Sequence, residues 1–201
     1  MKLEQYRIIL ASQSPRRREI LDNAGLTFEI IPAEGEEHYT ETAPEKITMA
    51  LSGMKAMEVF RKEAGKADGP VLVIGADTVV SYEGEILGKP KDHADAYRML
   101  SLLSGHTHQV YTGVTLLAAE NGAGDPQEVR RKTFFEETDV TFHTLTDEEI
   151  WAYIQTEDPL DKAGSYGIQG RFGKHIRGIR GDYYNVVGLP IQRIWTELKT
   201  L

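Results

Sequence analysis

Short, nearly continuous apolar runs alternate with longer stretches in which apolar residues recur at helical spacing. Ile8, Ile9 and Leu10 form a run too short for a helix and predict a buried strand. Ser14 then has the side chain of an N-cap, and Pro15 suits the first helical position, where its missing N–H leaves no bond unmade. Residues 26–32, LTFEIIP, read as a second strand. From Pro44 onward, residues 44–65 carry Ile47, Leu51 and Met54 at helical spacing. Gly53 inside that helix should cost about 1 kcal/mol relative to alanine unless another element comes close. KADGP is a turn, and VLVIGADTVV, residues 71–80, is aliphatic enough for a central strand covered on both faces.

Farther along, SYEGEILGKP predicts a tight connection around Glu83 and Gly84 and a second turn at Gly88 and Pro90. Residues 92–103 read as a helix, HQVYTGVTLLAAE as a strand and NGAGDP as a surface turn. RRKTFFEETDVTFHTL supplies a strand or a bent pair, followed by a short helix from near Asp147. The glycine-rich KAGSYGIQGRFG comes next, and LPIQRIWTEL returns as a helix. This order predicts an α/β protein with a large, mixed, twisted sheet flanked by helices. Residues 107–119 and 128–142 suit antiparallel neighbours, so the sheet is not purely parallel. Neither an internal repeat nor a low-complexity linker divides the chain, which reads as one domain over residues 1–201 with room for a cleft between lobes.

Composition narrows the function. Thirty-one acidic against 23 basic side chains give a formal charge of -8, which opposes broad nucleic-acid binding. The tyrosines and phenylalanines lie mostly in apolar strand contexts and form no stacking platform for bases. Zero cysteines exclude disulfides, thiolate metal sites and a cysteine nucleophile. No segment approaches the roughly 20 apolar residues of a membrane span, and MKLEQYR lacks the apolar stretch of a signal peptide. A cytoplasmic protein without membrane binding is expected.

Against that acidic background, Arg16, Arg17 and Arg18 stand where a helix begins, the end that already favours anions. Arg18 can pair with Asp22 one turn on. Arg17 shares the inward face of Ile20 and Leu21, so it needs an internal partner or a bound anion. Asp77 follows VLVIGA at the carboxyl end of a buried strand, where open α/β sheets place ligands; it can bind Mg²⁺, position water, or cap the next turn. Glu36 and Glu37 lie in an acidic loop, where a solvated role competes with catalysis, and Asp161 has a similar standing. Lys55 sits on the long helix between Leu51 and Val59 and either snorkels or reaches phosphate. Lys89 lies in the GKP turn, and Lys162 in DKAG is a further possible phosphate contact. Ser12 can bind phosphate through its hydroxyl or backbone; Gln169 can orient water or ligand, or satisfy its own glycine-rich loop. His106 and His108 are a weak metal signal and are expected as exposed strand or turn residues. The GxxxxGK[ST], HExxH and GxSxG patterns are absent.

ASQSPRR, GADTVV, LGKP, DKAGSYGIQG and NVVGLP, in this order between residues 10 and 190, together resemble the Maf family of nucleotide pyrophosphatases. The resemblance implies a fold similar to inosine triphosphatase, a nucleotide-binding cleft, a homodimer and use of Mg²⁺ or Mn²⁺. It implies phosphate binding by Ser12, Arg16 and Lys55 and catalytic roles for Glu37, Asp77, Lys89 and Gln169, with Arg17 and Thr78 near the site. Glu37 and Asp77 would hold the metal. The expected reaction splits a nucleoside triphosphate into the monophosphate and pyrophosphate, and DKAGSYGIQG looks like the branch acting on dTTP and UTP. The third arginine of SPRRR and His38 after the acidic pair depart from the family pattern without removing a proposed catalytic group. A nucleotide-binding regulator with little turnover is the competing class.

Overall fold

The computed structural model describes residues 2–66, 69–120 and 129–201. The NGAGDP turn and two residues of KADGP lie outside them. Among the described residues, seven strands form one sheet. They are β1 (Arg7–Leu10), β2 (Glu29–Ile30), β3 (Val71–Tyr82), β4 (Glu85–Leu87), β5 (Thr107–Ala119), β6 (Arg130–Phe142) and β7 (Ile176–Arg180), in the order β2-β1-β3-β5-β6-β7, with β4 on β3. The helices are α1 (Pro15–Asn23), α2 (Pro44–Glu63), α3 (His93–Leu103), α4 (Asp147–Ile154), α5 (Tyr183–Val187) and α6 (Ile191–Leu198). The mixed α/β expectation holds: β1 is parallel to β2 and β3, while β3 with β4 and β6 with β7 are antiparallel. Side-chain contacts between Thr107 and Thr141, Gln109 and Asp139, and Thr115 and Thr133 share one reversed register, which makes β5 and β6 antiparallel too.

The chain divides into two compact units. The first comprises Met1–Asp77, Thr112–Glu136 and Gly188–Leu201. Its core gathers Ile9, Ala56, Val59, Phe60, Val71, Val73 and Leu117 from β1, α2, β3 and β5. Two strand glycines set how closely α2 lies on the sheet. A Cβ on Gly75 would fall 2.4 Å from the Ser52 carbonyl oxygen, and one on Gly113 would fall 2.3 Å from the Thr48 carbonyl carbon. Both meet backbone, which cannot swing aside. At Gly53 a Cβ would stand 2.9 Å from the Arg131 guanidinium, the far end of an exposed side chain that can swing aside, so this contact alone does not require glycine. The strand expected over LTFEIIP shrinks to Glu29–Ile30, which pair with Ile9 and Leu10 and are exposed at the end of the sheet, with one further bond from the Ile31 N–H to the Leu10 carbonyl.

The second unit comprises Thr78–Tyr111 and Glu137–Val187. Glu83 and Gly84, both with positive φ, close the β3–β4 hairpin as a two-residue turn. Asp92 caps α3 through the Asp95 N–H, and Thr146 with Glu149 forms a capping box on α4. The core holds Leu87, Leu100, Leu103 and Val140 beside an aromatic group of Phe142, Tyr153, Tyr166 and Phe172. His108 corrects the sequence expectation. The two-residue alternation of β5 turns it inward with Val110; it is fully buried, edge-on to Phe142 and Tyr166, with Nε2 2.8 Å from the Tyr166 hydroxyl. Burial pushes its pKa down to about 3, so the ring is neutral near pH 7. His106 is exposed, as expected.

Candidate active site

In the first unit, the chain leaves β1 through Ala11 and Ser12 and turns into α1. The Ser12 hydroxyl oxygen accepts from the Ser14 N–H at 3.2 Å and from Arg17 Nη1 at 3.1 Å. With two donors on its oxygen, the hydroxyl proton is directed elsewhere and is available to a ligand oxygen. Ser14 caps α1 by accepting the Arg17 N–H, with Pro15 in the first turn as the sequence predicts. Arg18 pairs with Asp22 on the exposed side. Arg17 turns inward and donates from Nε to the Gly188 carbonyl at 2.8 Å. Burial and the neighbouring Arg16 work against its charge, while Asp77 and Glu37 favour it.

The close approach of α2 at Gly75 brings Lys55, adjacent to Ala56, toward Asp77, two residues beyond that glycine. Lys55 Nζ lies 2.6 Å from Asp77 Oδ1 and 2.8 Å from Glu37 Oε1. Asp77 is buried, whereas Glu37 is half exposed. Burial raises the Asp77 pKa above the ordinary carboxylate value, and Lys55 and Arg17 oppose that rise. The carboxylate is thereby a stronger proton acceptor than a solvated aspartate while two cations favour its ionised form. Arg16, Arg17 and Lys55 outnumber Glu37 and Asp77, giving an excess of positive charge within a chain of net charge -8.

Among the described residues, no group of three or more His, Cys, Asp or Glu is placed to hold a metal. Glu37 and Asp77 nevertheless both reach one ammonium, so their oxygens are no farther apart than those two contacts together. Two carboxylates completed by phosphate oxygens and water suit a hard divalent cation. The donor set therefore fits Mg²⁺ or Mn²⁺ with substrate present.

The second unit holds the other sequence candidates. Thr78 follows Asp77 along β3 and is part-buried. Lys89 is exposed in the GKP turn, and its ammonium has no protein partner among the described residues. The Gly164 N–H donates to the Gly88 carbonyl at 3.1 Å, tying DKAG to LGKP beside Lys89. Gln169 precedes a short 3-10 turn, makes no capping bond, and its amide has no protein partner among the described residues. It does not satisfy its own loop. Lys162 faces Asp158 and Asp161 instead of lying open.

Sequence reasoning did not find the Gly188 carbonyl as the acceptor for Arg17, nor the part played by Gly75 and Gly113. An isolated glycine inside an apolar strand pattern is the signal for such close approach, and both positions carried it.

A helix entrance lined by arginine and serine, beside a buried carboxylate bridged to lysine, defines an α/β protein equipped to handle a phosphorylated ligand. The model of the Maf-like protein family matches residues 7–201, and the chain belongs to that family. A dTTP/UTP pyrophosphatase of Agathobacter rectalis is 54% identical over 96% of this chain and 97% of its own. One of Lachnoclostridium phytofermentans is 50% identical over 96% and 94%. The Ham1 protein of Staphylococcus aureus aligns with 96% of this chain and 98% of its own at 12% identity and a TM-score of 0.46. No helix among the described residues is long and apolar enough to cross a membrane.

Proposed function

We propose that this protein is a nucleoside triphosphate pyrophosphatase that hydrolyses dTTP and UTP to the monophosphate and pyrophosphate. The observation that carries the chemistry is Lys55 held between Asp77 and Glu37, with Arg17 close enough to act on the same carboxylates. Membership of the Maf-like family and the pyrophosphatase relatives support the substrate class.

Water supplies the oxygen that replaces the bridge between the α and β phosphates, and pyrophosphate leaves with the bond's electron pair. Asp77 orients that water and accepts its proton, a role suited by the basicity that burial confers. Ser12, Arg16 and Lys55 bind phosphate oxygens, and Arg17 braces the helix entrance through Ser12 and Gly188. A divalent cation held by Glu37 and Asp77 would neutralise phosphate charge when bound. Lys89 and Thr78 are assigned to charge stabilisation and ligand contact, and Gln169 to orienting water or ligand, on the strength of the family pattern. The same reading takes residues 1–201 as one catalytic domain, in a cytoplasmic homodimer without stable nucleic-acid or membrane binding.

The test is product-resolved hydrolysis of dTTP, UTP, CTP and 7-methyl-GTP with Mg²⁺ or Mn²⁺. Selective pyrophosphate release from dTTP or UTP, lost in Asp77→Asn, is the expected result. Nucleotide binding without pyrophosphate release under every condition would replace the enzyme by a nucleotide-binding regulator.

A further inference from the structure

Lys162 stands in the DKAG stretch, where a lysine suggests another phosphate contact, yet its surroundings give it different work. Its ammonium lies 2.6 Å from the Asp158 carbonyl, 3.0 Å from Asp158 Oδ1 and 2.6 Å from Asp161 Oδ1. An ammonium has three protons, and these three oxygens engage all of them. Its side chain is also largely covered, with 11% relative exposure.

The methylene stem of Lys162 lies over Gly167, where a Cβ would fall 2.8 Å from Cε and 3.0 Å from Cδ. The head group returns to the same residue by another route. Asp158 Oδ2 accepts the Tyr153 hydroxyl at 2.5 Å, and the Tyr153 oxygen in turn accepts the Gly167 N–H at 3.2 Å. Lys162, Asp158 and Tyr153 thus close a circuit on Gly167, two residues before Gln169. Farther along the stretch, Gly164 bonds to Gly88 and Tyr166 to His108. The Gln169 amide itself is left open, as a group that orients a ligand or water must be.

We infer that Lys162 is a positioning residue that fixes Gln169 through Gly167, with Asp158 and Tyr153 as its partners, and is not a phosphate ligand. This rests on Gln169 acting in the reaction as proposed above. A lysine engaged by three oxygens would have to break its own contacts to reach a phosphate, whereas a stem clamped over Gly167 transmits position without moving.

The experiment compares Lys162→Met, which keeps an unbranched stem, with Tyr153→Phe and the double variant, each with Gln169 and with Gln169→Ala. It reads kcat and KM for dTTP and UTP, calorimetric binding of pyrophosphate and the melting temperature. Each single change should lower kcat by about tenfold and leave KM and pyrophosphate affinity within about twofold, since misplacement near the reacting groups is costly. The double variant should match the worse single, and neither change should lower kcat further in Gln169→Ala. Weaker pyrophosphate binding in Lys162→Met but not in Tyr153→Phe would overturn the inference in favour of phosphate contact. Equal losses with and without Gln169 would overturn it in favour of general structural support. If Gln169→Ala alone retains full kcat, the role given to Gln169 falls and the inference falls with it, a result distinct from the other two. Should Lys162→Met fail to fold, Tyr153→Phe in the two backgrounds decides by the same comparison.

Discussion

Replacing Lys55 by methionine keeps an unbranched side chain and removes the ammonium between Asp77 and Glu37. At 2.6 Å and an effective dielectric near 20, the gross attraction to Asp77 is about 6 kcal/mol before desolvation is subtracted. Removing one member of a buried pair costs about 3–5 kcal/mol, and Arg17 remains to favour the stranded carboxylate, so the low end, about 3 kcal/mol at pH 7, is expected. Glu37 adds little because it is half exposed. The pH dependence carries the sharper signature. Burial holds the Asp77 pKa above its unfolded value, so the native state keeps this proton longer than the unfolded state does. Its contribution is therefore greatest below the unfolded pKa and declines as pH rises through the folded pKa. Without Lys55 the folded pKa moves higher and the decline deepens. Urea denaturation from pH 4 to pH 8 should show the cost of Lys55→Met shrinking toward acid pH, and Lys55→Met with Asp77→Asn should recover most of the loss. A cost independent of pH, or simple additivity in the double variant, would refute the coupling.

Three further outcomes follow from geometry already described. Asp77→Asn should remain folded, at a smaller cost than Lys55→Met because Glu37 still holds the ammonium, and lose at least about a thousandfold in turnover, read as pyrophosphate release; equal turnover would remove Asp77 from the water-activating role. Gly75→Ala should cost at least about 1–3 kcal/mol, because its methyl meets the Ser52 carbonyl and the Ala56 backbone, and turnover should fall as Lys55 is displaced from Asp77; thermal melting and kcat at a temperature where the variant is folded separate the two effects. Phe172→Ala should cost about 3–5 kcal/mol by calorimetry, since the ring is buried among Phe142, Tyr153 and Tyr166.

What the sequence made legible was local. Ser14, Pro15 and the arginines after them carried their own signals for the start of α1, and the continuous aliphatic run of β3 announced a covered strand. The strand β7 and the short helix α5 went unread. IRGIR is short, interrupted by glycine and exposed over most of its length, and its strand character comes from pairing with residues of β6 nearly forty positions earlier. His108 was misjudged because spacing shows that two histidines are close in sequence but not which way a strand turns them. Residue types nominated Glu37, Lys55 and Asp77 one at a time; their meeting depends on how deeply α2 settles against two glycines, a tertiary fact.

The bond from Arg17 to the Gly188 carbonyl joins residues 171 positions apart. On a ribosome, the arginine therefore emerges long before its acceptor has been made. A growing chain can form β1 and the first turn of α1, yet the guanidinium at that turn has no Gly188 to brace it until 171 more residues have been joined. Such distant closure is slow to find and unrewarded until complete. The entrance to α1 thus matures only after all seven described strands of the sheet have been made, and a chain that stops short of Gly188 leaves Arg17 without that brace.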